Sequence, residues 1–156
     1  MADDSFYSER VGSASFLIEV DGVAIGLFKS ISGLSVDVEV EEVIEGGENS
    51  YAHKLPGRMS WPNLVLARGV TQNDNLLTWL NKSSGEQFAT QGNKLTRSTA
   101  AITLIAANGD RLRSWDVDGA FPVKWKGPSF AADSNEMATE ELEIAHHGFR
   151  AKTVSS

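Results

Sequence analysis

The sequence predicts a mainly β (α+β) fold, a small antiparallel β-barrel or sandwich flanked by one α-helix. Three observations carry this. The dipeptides Asp21-Gly22, Asn108-Gly109 and Asp118-Gly119 stand between or before apolar runs, and these residue types tolerate the positive φ of hairpin turns. The stretch SVDVEVEEV (35–43) alternates apolar and acidic residues, the period of a strand. The segment TQNDNLLTWLNKSSG (71–85) instead spaces its apolar residues as a helix does.

The elements follow in chain order. Residues 1–13 are expected to form a loose arm, as untethered termini do. Asp21-Gly22 is expected to join FLIEV (16–20) to VAIGLF (23–28) as a hairpin. In the strand over 35–44, Val36, Val38 and Val40 fall on one side and are expected to face the core. Asp37, Glu39 and Glu41 fall on the other. The phase breaks at Glu41-Glu42, where a bulge or bend is expected. A long loop is expected from Glu45 to Gly57, with Gly46 and Gly47 allowing a sharp departure. In RMSWPNLVLAR (58–68), Leu64, Val65 and Leu66 favour a strand, while Pro62 marks an edge or a bulge.

The helix is expected to run for about ten residues, ~15 Å. Thr71 is its N-cap candidate and Asp74 completes a weakened capping box. Leu76, Leu77, Trp79 and Leu80 form one broad apolar face, and Ser84-Gly85 ends it. Its plain role is to plug an open side of the barrel. Asn108-Gly109 then joins ITLIAA to RLRSWDV, and Asp118-Gly119 is read as a third hairpin leading into AFPVKW. The C-terminal SNEMATEELEIAHHG (134–148) reads two ways. As a helix, Ser134 caps it; as a strand, Leu142 and Ile144 point inward and Glu141 and Glu143 outward. Propensity alone leans to helix. Residues 150–156 are expected to form a second loose arm, and 1–156 a single domain.

With 156 residues, such a chain can bury about 70% of its unfolded surface. There is no cysteine, so disulfides and thiolate metal sites are excluded. The net charge is −7, from 21 acidic and 14 basic residues, the reverse of a duplex-binding surface. No apolar run approaches the ~20 residues of a membrane span. The acidic start MADDSFYSERVG is unlike a signal peptide. Synthesis in the cytoplasm, without a signal peptide and without membrane binding, is therefore expected.

No constellation points to catalysis. His146 and His147 are adjacent and point apart on either a strand or a helix, so they cannot grip one ion together. With His53 they read as polar residues at a chain end or an interface. The carboxylates lie on the polar sides of alternating segments, and neither a G-x-S-x-G elbow nor a phosphate loop is present. Neither a metal nor a cofactor is expected, and the chain is not expected to be an enzyme. Lys94, Arg97, Arg111, Arg113, Lys124 and Lys126 are interleaved with Trp115 and Trp125. A monomeric β-sandwich module that binds a polysaccharide or single-stranded nucleic acid on these residues is the rival reading. Against it, the strand over 98–107 is apolar on both faces, with Ala100, Ile102 and Leu104 on one and Ala101 and Ile105 on the other. Phe121, Val123 and Trp125 load one side of another strand. Such surfaces want covering, which points to an obligate oligomer.

The pieces EEVIEGGEN, HKLPGR, NLVLARG, AFPVKW and ELEIAHHG stand in an order and spacing that closely resembles the tail tube proteins of contractile phage tails and phage-tail-like injection particles. The resemblance spans about residues 14–149. It implies a fold similar to the type VI secretion tube protein, with six-membered rings that stack into a hollow tube inside a contractile sheath. It also implies that the C-terminal segment is a strand. The implied partners are further copies of the chain, the sheath, baseplate tube-initiator proteins, tape-measure and terminator proteins, and protein cargo or DNA in the channel. The implied place is a phage tail or a phage-tail-like particle that can be released outside the cell. On this reading Glu45, Gly46, Gly47, Glu48, Asn49, Tyr51, His53, Lys54, Leu55 and Pro56 form the ring-stacking interface. Asp37, Glu39, Glu41, Glu141 and Glu143 are candidates to face the channel or the sheath. Tyr51→Ala or Leu55→Asp is expected to leave the subunit folded and to block tube growth.

Overall fold

The computed structural model describes residues 14–44, 46–47, 53–70, 74–84, 89–90, 92, 95, 97–129, 133 and 138–152. Strands β1 (Ser15–Val20) and β2 (Val23–Phe28) form the first hairpin. Asp21 and Gly22 supply its turn with φ of 50° and 82°, the pair of positive values that a two-residue type I′ turn needs. Then come β3 (Ser30–Ser32), β4 (Asp37–Val43), β5 (His53–Ser60) and β6 (Leu64–Gly69). Helix α1 (Asn75–Ser84) leads to β7 (Ser98–Ile105), β8 (Arg111–Lys126), β9 (Thr139–Ala145) and β10 (Phe149–Lys152). One antiparallel sheet runs β2-β1-β7-β8-β9-β6-β3, with β10 beside β8, and β4 and β5 form a separate two-stranded sheet.

Asp118-Gly119 is not a hairpin turn. Both residues lie inside β8, whose first part pairs with β7 and β10 and whose last part, from Phe121, pairs with β9. Gly119 has φ of 61°. A single positive-φ residue produces a bulge that bends a strand, and such a strand can leave one sheet and enter another. Reversal would need two suitable residues and a free partner. Here the Asp118 backbone is instead held by the link between β9 and β10: Asp118 N donates to Gly148 O and His147 N donates to Asp118 O, at 2.9 and 2.8 Å.

The sheet curls until its two ends meet. Lys29 N donates to Ala67 O at 2.9 Å. Beyond that bond the seam is made by side chains: Arg68 Nη1 donates to Ile25 O at 3.2 Å and Asn75 Nδ2 to Ala24 O at 3.0 Å. The barrel is thus open in strand pairing yet closed in hydrogen bonding at β2. Its core takes Ile18, Phe28, Leu66, Ile102, Leu142 and Ile144 from all sides. Helix α1 covers one opening with Leu76 and Trp79, while Leu77, expected on the same face, is 40% exposed because the barrel contacts only a narrow stripe of the helix. Its first intrahelical bond runs from Thr78 N to Asp74 O, so Asp74 holds the cap position. The expected cap Thr71 lies outside the described residues.

The C-terminal segment is a strand, with Leu142 and Ile144 buried. Pairing on both sides, to β6 and β8, overrides its helical propensity. Residues 150–152, expected within a loose arm, pair instead with Ser114–Asp116 of β8. Arg150 Nη1 also donates to Asp118 Oδ2 at 3.0 Å.

Candidate assembly surfaces

The β4–β5 ribbon leaves the barrel between β3 and β6 as an arm. Every residue of β4 is exposed, and so is all of β5 except half-buried Gly57. Val38 pairs with Met59 and Val40 with Pro56, which puts these four on one face. Glu41 pairs with Leu55 and Asp37 with Ser60 on the other. The register slips between Val38 and Val40, opposite Gly57-Arg58. The bulge therefore lies nearer the base of the arm than the expected Glu41-Glu42. Gly57 packs there, since a Cβ on it would stand 3.3 Å from Glu39 O.

Two expectations are corrected here. Val36, Val38 and Val40 do not face the core: they are 43%, 43% and 59% exposed. Alternation identifies the two faces of a strand but not what covers them, and this ribbon stands clear of the barrel. The loop expected from Glu45 to Gly57 is also shorter, because His53, Lys54, Leu55, Pro56 and Gly57 belong to β5. Gly46 and Gly47 do sit in a turn at the tip. Glu45, Glu48, Asn49 and Tyr51 lie outside the described residues. The arm thus gathers Gly46, Gly47, His53, Lys54, Leu55 and Pro56, and adds Val40, Val43, Ile44 and Met59, which the sequence reading had not assigned to it.

The five candidate acids do not form one surface. Asp37, Glu39 and Glu41 share the face of the arm opposite Val38 and Val40. Glu141 and Glu143 lie on the outer face of β9, directly across from Lys126 and Lys124. Glu143 also accepts a bond from Asn63 Nδ2 at 3.0 Å. That second pair belongs to a mixed-charge strip, whereas the arm face is acidic.

The histidines part company. His53 is exposed on β5 and His147 is exposed beyond β9, but His146 is 8% exposed. Gly148 N donates to its Nδ1 at 3.0 Å, so Nε2 carries the proton and donates to Pro62 O at 2.9 Å. His146 is packed near Trp61 and Phe149, held within the subunit by both ring nitrogens rather than set loose at the chain end. Among the described residues no group of three or more His, Asp or Glu is placed to hold a metal. No helix among them is long and apolar enough to cross a membrane.

Among the described residues, which exclude Lys94, the rival binding platform does not form. Trp115 and Trp125 are half-buried on the inner face of β8, packed against the core. Trp125 Nε1 donates to Glu140 Oε2 at 3.2 Å. Arg113 lies over Trp115 at 6.0 Å, but the indole faces available for stacking are those of core residues.

The group that sequence reasoning missed is the pair Arg68 and Glu140, both buried. Strand parity carried the signal: Arg68 falls in step with Leu64 and Leu66, and Glu140 with Leu142 and Ile144.

A protruding ribbon with apolar residues on a small barrel is the geometry of an assembling subunit, and comparison with known proteins agrees. Residues 12–150 match the family described as T4-like virus tail tube protein gp19. This chain belongs to the tail tube protein family. A tail tube protein is also what its solved neighbours indicate. A chain of the PVC sheath–tube complex of an extracellular contractile injection system, in the extended state, is 26% identical with TM-score 0.75, covering 99% of this chain and 100% of that one. A chain of the anti-feeding prophage cap, which terminates its tube, is 30% identical with TM-score 0.70, covering 89% and 88%. The fold alone is shared with Hcp1 from Salmonella typhimurium, at 12% identity and TM-score 0.51, covering 88% and 91%. No curated protein sequence matches this tail tube protein.

Proposed function

We propose that this tail tube protein is the inner-tube subunit of an extracellular, phage-tail-like contractile injection particle. Six copies close a ring, and rings stack head to tail into a hollow conduit inside a contractile sheath. A head-to-tail contact is heterologous and so grows a filament. The observation that carries the reading is the β4–β5 arm, a folded ribbon whose apolar side chains find no cover on their own barrel. Likeness to chains from PVC and anti-feeding prophage particles favours this kind of particle over a DNA-delivering phage tail. The sheath, the baseplate initiator and the tube terminator are its proposed partners, with a tape-measure protein and protein cargo in the channel. Its work is assembly and passage, with no bond chemistry of its own. The ring-stacking contacts are assigned to the arm from Val38 to Met59, including the tip.

The test is assembly. The full chain, expressed with its neighbouring baseplate and sheath genes, is expected to yield particles whose tube contains this chain, seen by electron microscopy and by mass spectrometry of the tube. Particles with an intact tube made of a different protein would overturn the reading. Gene neighbourhood is a second check: an ATPase and toxin genes are expected, and capsid genes would reassign the particle to a phage.

A further inference from the structure

Helix α1 does not close fully onto the first hairpin. Between them lies a cleft of about 420 Å³, within the size range of ligand-binding pockets, ~300–1,000 Å³. One wall is Val20, Val23 and Ile25 of the β1–β2 hairpin; the other is Thr78, Trp79 and Lys82 of α1. Both walls are largely apolar, yet Val23 is 55% exposed at the mouth. Beneath it the Trp79 indole N–H is buried and has no acceptor among the described residues, a costly arrangement where the packing above is incomplete. Charges of both signs flank the opening, Lys82 on α1 and Asp21 at the hairpin turn.

The same chain carries an uncovered shape of the opposite kind. At the end of β4, Ile44 is 83% exposed. One same-face step toward the base, Glu42 and Lys54 stand opposite each other as a cross-strand pair, so the arm end presents one charge of each sign next to an aliphatic side chain. An aliphatic knob with an acid and a base side by side behind it is complementary to an apolar cleft with a base on one wall and an acid on the other. We infer that the cleft between α1 and the β1–β2 hairpin is the socket for the arm of an adjacent copy. Ile44 seats between Val23 and Trp79, Glu42 meets Lys82, and Lys54 meets Asp21. The knob and the socket are different patches of one chain, so each copy offers one of each, and between stacked rings the contact repeats along the tube axis. The inference rests on the tube reading and names the receiving site that the reading lacks. Its affinity comes from burying the isoleucine and the wall of the cleft, and its register from the two charge pairs.

The absence of cysteine from the chain makes a direct test clean. Ile44→Cys and Val23→Cys both fall on exposed side chains. Assembled tubes of the double variant, treated with a short bis-maleimide, are expected to give a ladder of covalent multimers on a denaturing gel. Tubes made from a mixture of the two single variants are expected to stop at dimers. Each maleimide bridge joins two thiolates by addition, with no oxidant needed. As a second arm, Lys82→Glu is expected to reduce tube yield at least tenfold, and Glu42→Lys in the same chain to restore it. Well-formed tubes without crosslinks would overturn the socket and leave the tube reading intact. So would a bridge within one chain, which would give the cleft to the chain's own arm, or a bridge from Val23→Cys in one chain to sheath protein carrying its own thiol. Failure of the charge swap to restore growth would equally overturn the proposed register. Failure of the unsubstituted chain to appear in any tube would overturn the tube reading itself.

Discussion

Arg68 and Glu140 are direct cross-strand partners on β6 and β9, and their side chains pair inside the barrel. Around that ion pair the remaining polar atoms are also used. Trp125 donates to the second carboxylate oxygen, Arg68 reaches Ile25 O, and its guanidinium lies 5.1 Å from the Phe28 ring. The pair thereby ties β2, β6, β8 and β9 together at the seam where strand pairing stops. Breaking one partner leaves the other charge buried alone. Arg68→Met is therefore expected to cost about 3–5 kcal/mol of subunit stability. Adding Glu140→Leu is expected to recover part of that loss, because no unpaired charge remains. Urea unfolding of the isolated subunit checks both values; equal stability of Arg68→Met and the parent would refute the seam.

The glycine opposite this guanidinium makes a second prediction. Gly26 has φ of 155°, and a Cβ built on it collides with Arg68 Nη1. The arginine is fixed by Glu140 and cannot swing aside without losing its partners. Gly26→Ala is expected to cost about 1–3 kcal/mol, the usual range for overpacking. Gly22→Ala is the control. Nothing lies within 4 Å of its Cβ, so only the turn strain at φ of 82° remains, about 1–2 kcal/mol. In the Arg68→Met background the cost of Gly26→Ala is expected to fall, which a double-mutant cycle measures.

A third prediction concerns the crossing from β9 to β10. His146 satisfies Pro62 O and Gly148 N at once, and so fixes the bend that brings β10 back to β8. His146→Ala leaves two backbone groups without their partner, each worth about 1–3 kcal/mol when buried. Thermal unfolding is expected at a lower temperature, by about 2–4 °C for each kcal/mol lost in a chain of this size.

Much of the barrel was legible in the residues because its signals are local. Asp21-Gly22 fixed a hairpin through dihedral preference, and Leu76 with Trp79 fixed the buried face of a helix through spacing. What failed were questions that local signals do not reach. Asp118-Gly119 reads as a turn by composition. Whether it reverses the chain or bends it depends on where β7, β9 and β10 lie, and these are strands distant in sequence, β10 beginning only at Phe149. Residues 138–145 favour helix by propensity, and the strand came from the resemblance rather than from the residues themselves. Arg68 and Glu140 went unread because a charge in an apolar phase looks like an interruption until its partner is known. For the assembly surface, the acid-faced alternation of 35–43 was correctly read as a strand. Its valines were assigned to a core because the strand was taken as a stave of the barrel, and alternation does not tell a stave from an arm.

Those valines return in the last prediction. Val40 is 59% and Leu55 is 50% exposed, on opposite faces of the arm. Neither packs on the barrel, so Val40→Asp and Leu55→Asp are expected to change subunit stability by no more than about 0.5 kcal/mol, the range for surface substitutions. Assembly amplifies what folding ignores. If each copy loses about 1.4 kcal/mol of stacking contact, one tenfold factor, six copies per ring lose about six powers of ten in ring-on-ring association. Both variants are therefore expected to unfold at the parental urea midpoint while giving short tubes or none by electron microscopy. A shifted midpoint would place these side chains in the fold rather than the assembly. Tubes of parental length would move the stacking contact to another part of the subunit. The size of the loss also separates the two faces: Leu55→Asp adds a fourth carboxylate beside Asp37, Glu39 and Glu41, and so should be partly relieved by added salt. Val40→Asp shares its face with Val38, Pro56 and Met59 and with the oppositely charged Glu42–Lys54 pair, so its charge meets no net repulsion and salt should relieve it less.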